Sequence, residues 1–293
     1  MSARDEHLAT RRSAGLFDFS FMGLYEFSSQ ADLQPLQSRD LSALEPGRIL
    51  YTLLLNEDGG VFNDATIWHM GGERYWLWTG RRSDYARFGR VARDRSGEFA
   101  VLALQGPDSG RTLARLAGPE LVRALPYFRF VQKEAWLVAR LGYSGELGYE
   151  ILMPAGEQEA FRARVQDVPR CSFEAANSLR IESGYLLFDR EIDGRANPRE
   201  LGLERLVSGQ RAFSFGRKLV GLELKDEYLK DIPTAELTSE CFSPTLNKPI
   251  GLGFVAPGVP AGQPVRLADG RAARVAALPF VDQERRRPRA SPL

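Results

Sequence analysis

The chain has 293 residues, long enough for two or more hydrophobic cores, and its 39 basic and 38 acidic side chains nearly cancel. This balance gives no general attraction to nucleic acid or to an anionic membrane. Two cysteines and two histidines leave little material for a disulfide framework, a zinc site or a Ser-His-Asp hydrolase. Because the sequence shows neither a signal peptide nor a bilayer-long apolar run, we expect a cytoplasmic globular protein without nucleic-acid or membrane partners.

The first segments alternate between helical and strand-like patterns. Residues 8–15 predict a short helix, and the polar residues before them, including His7, are expected to be mobile. The run LFDFSFMG at 16–23 follows, in which Phe21 is interpreted as an apolar strand residue. Residues 32–44 predict one helix or two short ones, because Pro35 interrupts the pattern.

The stretch from Leu50 to Met70 predicts a β-hairpin around a polar break. Residues 56–58 supply turn-forming side chains, and Gly59-Gly60 tolerate positive φ. Asp64 follows the turn among apolar neighbours. A carboxylate so placed either caps a backbone turn or is held for a ligand, and the sequence alone favours the turn.

Three further segments lie between this hairpin and the middle of the chain. Residues 73–79 predict a strand, with Trp76 and Trp78 on one face as core or interface residues. The apolar spacing in 83–94 predicts a helix. Residues 99–107 predict a buried strand that stops at a Gly-Pro turn before a helix.

A second hairpin-like unit spans residues 137–153 and contains Glu150. Tyr149, Ile151 and Leu152 surround this carboxylate with apolar groups, which is the setting of a desolvated acid waiting for a ligand. The alternative is a Glu on the solvated face of an edge strand, and the sequence alone favours that alternative.

The last third of the chain changes character. Residues 173–188 predict a helix that runs into a loop. From residue 212 onward, short β-like segments at 219–224 and 235–255 are broken by Gly and Pro, as in a small antiparallel barrel. Residues 283–293 are basic and contain prolines, and we expect a loose tail there.

Five ordered motifs in these segments resemble the glycine-cleavage T-protein (aminomethyltransferase) family, within a superfamily that includes tetrahydrofolate-dependent demethylases. They are the runs at 15–23, 51–64, 103–107, 140–150 and 180–203, and similarity continues to about Phe280. The resemblance implies a three-lobed α+β fold with folate in a central opening. It also implies two interleaved lobes in residues 1–211 and an antiparallel β-barrel domain in 212–293.

The same resemblance implies a folate site. Asp64 would lie beside the pteridine of tetrahydrofolate and act as the catalytic carboxylate. Glu150 would accept the two neighbouring N–H donors of the pterin ring, which match the two oxygens of one carboxylate. Tyr51, Tyr143 and Tyr185 would complete the cofactor-binding residues, with Tyr143 and Tyr51 stacking against the ring.

Departures from the family pattern bear on the substrate. Phe21 stands where the family has histidine, and Ala176 and Asn177 replace an Arg-Asp pair. A longer family lead before residue 15 is also absent. Because no neutral side chain replaces a guanidinium, we expect a substrate other than a lipoyl-bound aminomethyl group, and no carrier protein.

We therefore predict a tetrahydrofolate-dependent one-carbon transferase that acts on a small O-, S- or N-methylated compound. A sister family of folate-binding iron–sulfur assembly proteins is set aside, because the loop LLFDREID at 186–193 lacks its cysteine motif. Two alternatives remain open: a folate-binding protein without turnover, or the same scaffold with a different ligand and unrelated chemistry.

Overall fold

A computed structural model describes residues 1–209, 211–225 and 232–293. The helices in this part of the chain are α1 (Ala3–Arg12), α2 (Gln30–Leu33), α3 (Tyr85–Phe88), α4 (Ser109–Ala117), α5 (Pro119–Ala124), α6 (Gln158–Arg164) and α7 (Phe173–Glu182). The first strands are β1 (Gly15–Asp18), β2 (Gly23–Phe27), β3 (Ile49–Leu55), β4 (Val61–Gly71), β5 (Arg74–Thr79), β6 (Arg93–Asp94), β7 (Phe99–Gln105) and β8 (Phe130–Lys133). The others are β9 (Trp136–Ala139), β10 (Gly148–Pro154), β11 (Arg170–Cys171), β12 (Lys218–Lys225), β13 (Thr234–Ser243), β14 (Lys248–Val255), β15 (Pro264–Leu267) and β16 (Ala272–Ala276).

These strands form two open sheets and one closed barrel. The first sheet has the order β11-β1-β7-β10-β9-β8, and the second has the order β3-β4-β5-β2-β6. The barrel closes in the order β12-β14-β13-β15-β16, with antiparallel neighbours apart from the parallel pair β13 and β15. The predicted α+β class with a C-terminal barrel is confirmed. The division at residues 211 and 212 stays a prediction.

The hairpin of β3 and β4 forms as the turn chemistry predicts. The N–H of Asn56 donates to the carbonyl of Gly60 over 2.8 Å, and Gly59 adopts a φ of +92°. The N–H of Gly60 donates to the Asp58 carboxylate over 3.0 Å. In the resulting register Leu53 pairs with Asp64. The turn is therefore capped by Asp58, three residues before the strand starts.

Strand β10 lies between two hydrophobic cores, and its alternate side chains point into different ones. Tyr149 and Ile151 belong to the cluster that packs beneath α4, α5 and α6. Leu152 belongs to the cluster between the two sheets, together with Trp76 and Trp78 of β5, whose predicted core position is confirmed. Because successive side chains point to opposite faces, the side chain of Glu150 shares the face of Leu152 between the sheets.

The helix predicted over residues 83–94 is wrong beyond its first turn. Arg82–Asp84 forms a 3-10 turn and Tyr85–Phe88 a short α-helix, which Gly89 ends with its N–H bonded to the Tyr85 carbonyl over 2.8 Å. Arg93–Asp94 instead forms an edge strand that pairs with β2. The pairing of Arg93–Asp94 with β2 thus outweighs the apolar stripe in the sequence, which favours a helix only locally.

The segment around His7 is buried rather than mobile, so that expectation is wrong. The ring of His7 has no solvent exposure, and its Nδ1 lies 2.7 Å from the Ser178 hydroxyl. Its Nε2 lies 3.2 Å from the Glu182 carboxylate. Helix α1 begins at Ala3, earlier than predicted, because Ser2 and Asp5 form a capping box.

Residues 283–293 are also held against the rest of the molecule, which corrects the expectation of a loose tail. Arg287 donates to the buried carboxylate of Glu146 over 2.6 Å. Arg140 donates to the carbonyl of Ala290 over 2.6 Å. These polar contacts to the 140–146 loop order a segment whose composition alone indicates disorder.

The 140–146 loop is held by hydrogen bonds to the side chain of Gln105. The amide of Gln105 donates to the Leu141 carbonyl over 3.3 Å and accepts from the Ser144 hydroxyl over 2.7 Å. A Cβ added at Gly142 would lie 1.9 Å from this amide, and one at Gly148 would lie 2.3 Å from it. Both glycines are therefore needed for the close approach of the Gln105 side chain.

We expect Gly142→Ala to lower the free energy of unfolding by about 1–3 kcal/mol, because the new methyl group overlaps Gln105. Urea unfolding measures this loss. Gly156→Ala is the control, since no atom lies within 4 Å of a Cβ there. Adding Gln105→Ala to Gly142→Ala should recover part of the loss. Equal losses in the two single glycine variants would contradict the proposed overlap.

Candidate functional site

Two cavities meet in the centre of the molecule. The inner cavity lies between the two sheets and holds about 900 Å³, counting the part open to solvent. The outer cavity reaches toward the barrel and holds about 1850 Å³ on the same measure. Tyr51, Asp64 and Tyr143 line both cavities, whereas Glu150 lines the inner one and Tyr185 the outer one.

Glu150 is a buried acid that has no partner among the residues that the structure describes. It sits on β10 between Ala103 of β7 and Ala139 of β9, two small side chains that leave room beside it. Its residue exposure is 9 %, and no described residue donates a hydrogen bond to its carboxylate. Burial raises the pKa of Glu150 to about 7. The solvated edge position considered from the sequence is wrong, because β10 is an inner strand.

Asp64 is held by a tyrosine rather than by the hairpin turn. The Tyr51 hydroxyl donates to its Oδ2 over 2.8 Å, and the Asp64 N–H donates to the Asn63 side chain over 2.9 Å. Burial raises the pKa of Asp64 to about 6, against the opposing effect of the Tyr51 hydrogen bond. The carboxylate therefore faces the cavities with one of its oxygens free of protein hydrogen bonds among the described residues.

A second layer behind Asp64 was not found from the sequence. Asn63 donates to Asp84 over 2.6 Å, and the guanidinium of Arg81 donates to the other oxygen of Asp84 over 3.1 Å. The charge of Asp84 contributes to the raised pKa of Asp64. Because Asn63 is neutral and donates, it accommodates the buried carboxylate of Asp84, which an aspartate at this position would repel.

The three predicted tyrosines all line the outer cavity, and Tyr51 and Tyr143 line the inner one as well. The Tyr143 hydroxyl donates to the Leu186 carbonyl, which fixes its ring. The ring of Tyr143 stacks on that of Tyr185, with centroids 5.9 Å apart and planes at 22°. Burial raises the pKa of Tyr51, Tyr143 and Tyr185. Tyr185 is therefore placed behind Tyr143, on the outer side.

The mouth of the inner cavity is aromatic. Phe21 and Phe173 are 43 % and 46 % exposed, and their ring centroids lie 5.9 Å apart at 82°. Phe19 meets Phe21 at 6.0 Å and 75°. We call these three residues the aromatic corner. Phe21 lies in the turn between β1 and β2, so its interpretation as a strand residue is wrong.

Phe173, the first residue of α7, was missed as a site residue because an aromatic residue at a helix start gives no sign of its neighbours.

The lining of the outer cavity is basic, unlike the aromatic mouth of the inner cavity. Its lining contains four basic side chains and, among the described residues, Asp64 as its one carboxylate; the basic ones are Arg205, Lys218, Arg285 and Arg289. The two cavities thus differ in charge.

Ala176 and Asn177 stand apart from the cavities. Ala176 is 3 % exposed in the core between the sheets, and Asn177 accepts a hydrogen bond from Arg180 over 2.9 Å. Among the residues that the structure describes, neither lines the inner or the outer cavity. These two positions thus supply no cation to the site.

Comparison with known proteins assigns the fold and its family. Residues 1–211 match the model of the GCVT N-terminal domain, and residues 217–282 match that of the glycine cleavage T-protein C-terminal barrel domain. The chain belongs to the glycine-cleavage T-protein family. The predicted recognition is confirmed, and with it a family of folate-dependent one-carbon transferases.

Relatives of this T-protein-family chain span most of its length. An aminomethyltransferase of Thermosynechococcus vestitus is 33 % identical over 298 residues, covering 87 % of this chain and 80 % of the relative. One of Rubrobacter xylanophilus is 32 % identical over 326 residues, covering 97 % and 87 %. The crystal structure of glycine cleavage system aminomethyltransferase T from Bartonella henselae is similar with a TM-score of 0.80 and 25 % identity, covering 96 % and 90 %. No helix in the described part of the chain is long and apolar enough to cross a membrane.

We expect Glu150→Gln to stabilise the ligand-free protein at alkaline pH. The raised pKa means that the folded state holds the Glu150 proton more tightly than the unfolded state does, so its contribution to stability is lost as pH rises toward and through about 7. Relative to wild type, the variant should gain about 2–3 kcal/mol between pH 5 and pH 8.

Urea unfolding of the wild type and of Glu150→Gln at the two pH values measures how the difference between their free energies of unfolding changes with pH. Glu146→Gln is the matched control, because Glu146 is buried but paired with Arg11 and Arg287. That variant should be destabilised at both pH values. A difference between Glu150→Gln and wild type that does not change with pH would contradict a buried, unpartnered carboxylate at position 150.

Proposed function

We propose that this protein is a tetrahydrofolate-dependent one-carbon transferase acting on a small O-, S- or N-methylated substrate. The observation that carries the proposal is the pair of carboxylates in one cavity. Glu150 is buried without a partner in the described part of the chain, and Asp64 is held by Tyr51 with an oxygen toward the same space. Bound tetrahydrofolate would supply the nitrogen that takes up the one-carbon unit.

The residues present fit a reduced pterin. An isolated buried carboxylate is costly, and two coplanar N–H donors would compensate Glu150 on both oxygens. Tyr51 and Tyr143 provide aromatic surface beside it. The basic lining of the outer cavity, with Arg285 and Arg289, suits the carboxylates of the folate tail.

Asp64 has the properties of a proton acceptor in this site. With a pKa of about 6, it is mostly ionised at neutral pH but takes up a proton more readily than a solvated aspartate. The Tyr51 hydroxyl fixes one oxygen and leaves the other to face the ligand. We therefore assign Asp64 the task of holding or accepting the proton of the reacting nitrogen, and Glu150 the task of orienting the ring.

These assignments predict that two isosteric variants affect different quantities, one the affinity for tetrahydrofolate and the other the rate of transfer. Glu150→Gln should weaken tetrahydrofolate binding by about 10- to 100-fold, because an amide N–H replaces an acceptor oxygen. Asp64→Asn should keep most of that affinity and lower the single-turnover rate by roughly 10²- to 10⁴-fold. Titration calorimetry gives the affinities, and mass spectrometry of the folate product gives the rates.

Asp58→Asn is the control for the hairpin, since Asn keeps the turn hydrogen bond that Asp58 makes to Gly60. It should change neither quantity. If Asp64→Asn lowers only the melting temperature, Asp64 has a structural role and the catalytic assignment is wrong. Folate binding without any product in the wild type would indicate a binding protein instead, and absence of binding would indicate a different ligand.

A second candidate is aminomethyl transfer from a protein carrier, favoured by the aminomethyltransferase names of relatives at 31–33 % identity. The absence of a carrier protein stays a prediction. It rests on the sequence departure at Ala176, a neutral residue where the family has an arginine.

We therefore expect little or no aminomethyl transfer in a glycine-cleavage system reconstituted with a lipoylated carrier. The measurement is carrier-dependent formation of methylenetetrahydrofolate, with an aminomethyltransferase such as the Thermosynechococcus relative as the positive control. Turnover comparable to that of the control would favour the second candidate and remove the reason for a small methylated substrate.

A further inference from the structure

The charge of the inner cavity restricts what its mouth can admit. Asp64 and Glu150 are the ionisable acids in its lining, and among the described lining residues there is no arginine, lysine or histidine. In a partly desolvated space these carboxylates attract a cation and disfavour an anion. A substrate that reaches Asp64 through this mouth therefore does so more favourably with a positive charge than with a negative one.

The aromatic corner adds a second, independent preference. Phe21 meets Phe19 and Phe173 edge to face at 75° and 82°, so its ring stands nearly perpendicular to each of the other two. Two of them remain close to half exposed at the cavity mouth, although burial elsewhere would stabilise the protein. Aromatic walls at right angles surround a cation that carries apolar groups, because ring faces attract its charge and its methyl groups displace water.

We propose that the aromatic corner binds a methylated onium group, a sulfonium or a quaternary ammonium, with Asp64 and Glu150 supplying the compensating charge. Its role as methyl donor rests on the proposed function; its binding does not. A methyl group that leaves such a cation leaves a neutral sulfide or tertiary amine, which keeps the electron pair of the broken bond. No proton has to be delivered to this leaving group, and the proton displaced at the acceptor nitrogen goes to the Asp64 carboxylate.

Other occupants fit less well. A carboxylate- or phosphate-bearing compound would approach two acids without meeting a cation in the described lining. A neutral apolar compound would gain contact with the rings but nothing from the two carboxylates. The aromatic corner should therefore bind a cation more tightly than an uncharged compound of the same shape. This difference in affinity can be measured directly.

The probes are choline and its uncharged carbon isostere, 3,3-dimethylbutan-1-ol. Ligand-observed NMR titration of the wild type without folate should show choline binding at least about tenfold more tightly than the isostere. Phe21→Leu and Phe173→Leu keep apolar volume but remove a ring face. Each should weaken choline binding by about three- to thirty-fold and change isostere binding less.

Phe242→Leu is the matched control. Phe242 is 49 % exposed like the corner residues, but its ring lies near Arg4, outside the inner cavity. It should bind both probes like the wild type, and thermal melting checks that all variants are folded. Equal affinities for choline and its isostere, or no binding of choline to the folded wild type, would overturn the proposal.

Failure of this inference and failure of the proposed function give different results. If folate binds and a neutral methyl ether is turned over while onium compounds do not bind, the substrate class is wrong and the transferase stands. If choline binds through the aromatic corner but no reduced folate binds, the proposed onium site is supported and the proposed transferase activity is wrong. Addition of reduced folate in the same titration separates the two cases.

Discussion

Two buried ion pairs of helix α7 hold the parts of this protein around the central cavities. Arg180 donates to Glu191 over 2.7 Å and to Ser239 of the barrel over 2.7 Å. Two residues later, Glu182 accepts from Arg11 of α1 over 2.7 Å. Because removal of one partner from a buried pair typically costs about 3–5 kcal/mol, the relative positions of α1, α7 and the barrel depend on these contacts.

Partners, rather than burial, distinguish structural carboxylates from those available to a ligand. Burial alone would raise the pKa of Glu182, but the hydrogen bond with His7 and the charge of Arg11 outweigh it and hold that pKa at about 2. Glu150 experiences burial without such groups, and its pKa is about 7. The protein therefore retains at Glu150 an acid that destabilises the ligand-free fold, which is typical of a site selected for binding.

Local patterns predicted the elements whose causes are local. The hairpin around Gly59 follows from turn residues, and the alternation of β10 places Glu150 and Tyr149 on opposite faces. The resemblance to the T-protein family predicted the three-part fold and the barrel. Four of the residues that it indicated, Tyr51, Asp64, Tyr143 and Glu150, line the inner cavity.

Contacts distant in sequence could not be predicted in this way. His7 is ordered by Ser178 and Glu182, more than 170 positions away in the chain. Phe173 joins Phe21 across 152 positions, which no periodicity can encode.

The two cavities open to solvent through different residues, the inner one past Phe21 and Phe173 and the outer one past Arg205 and Lys218. They join at Asp64. A small molecule at the aromatic mouth and a long anionic molecule at the basic mouth would not block each other's path. Under the proposed function, either partner can then arrive first, and one product can leave while the other stays bound. With that function, the order of events during turnover would be set by concentrations and dissociation rates rather than by access.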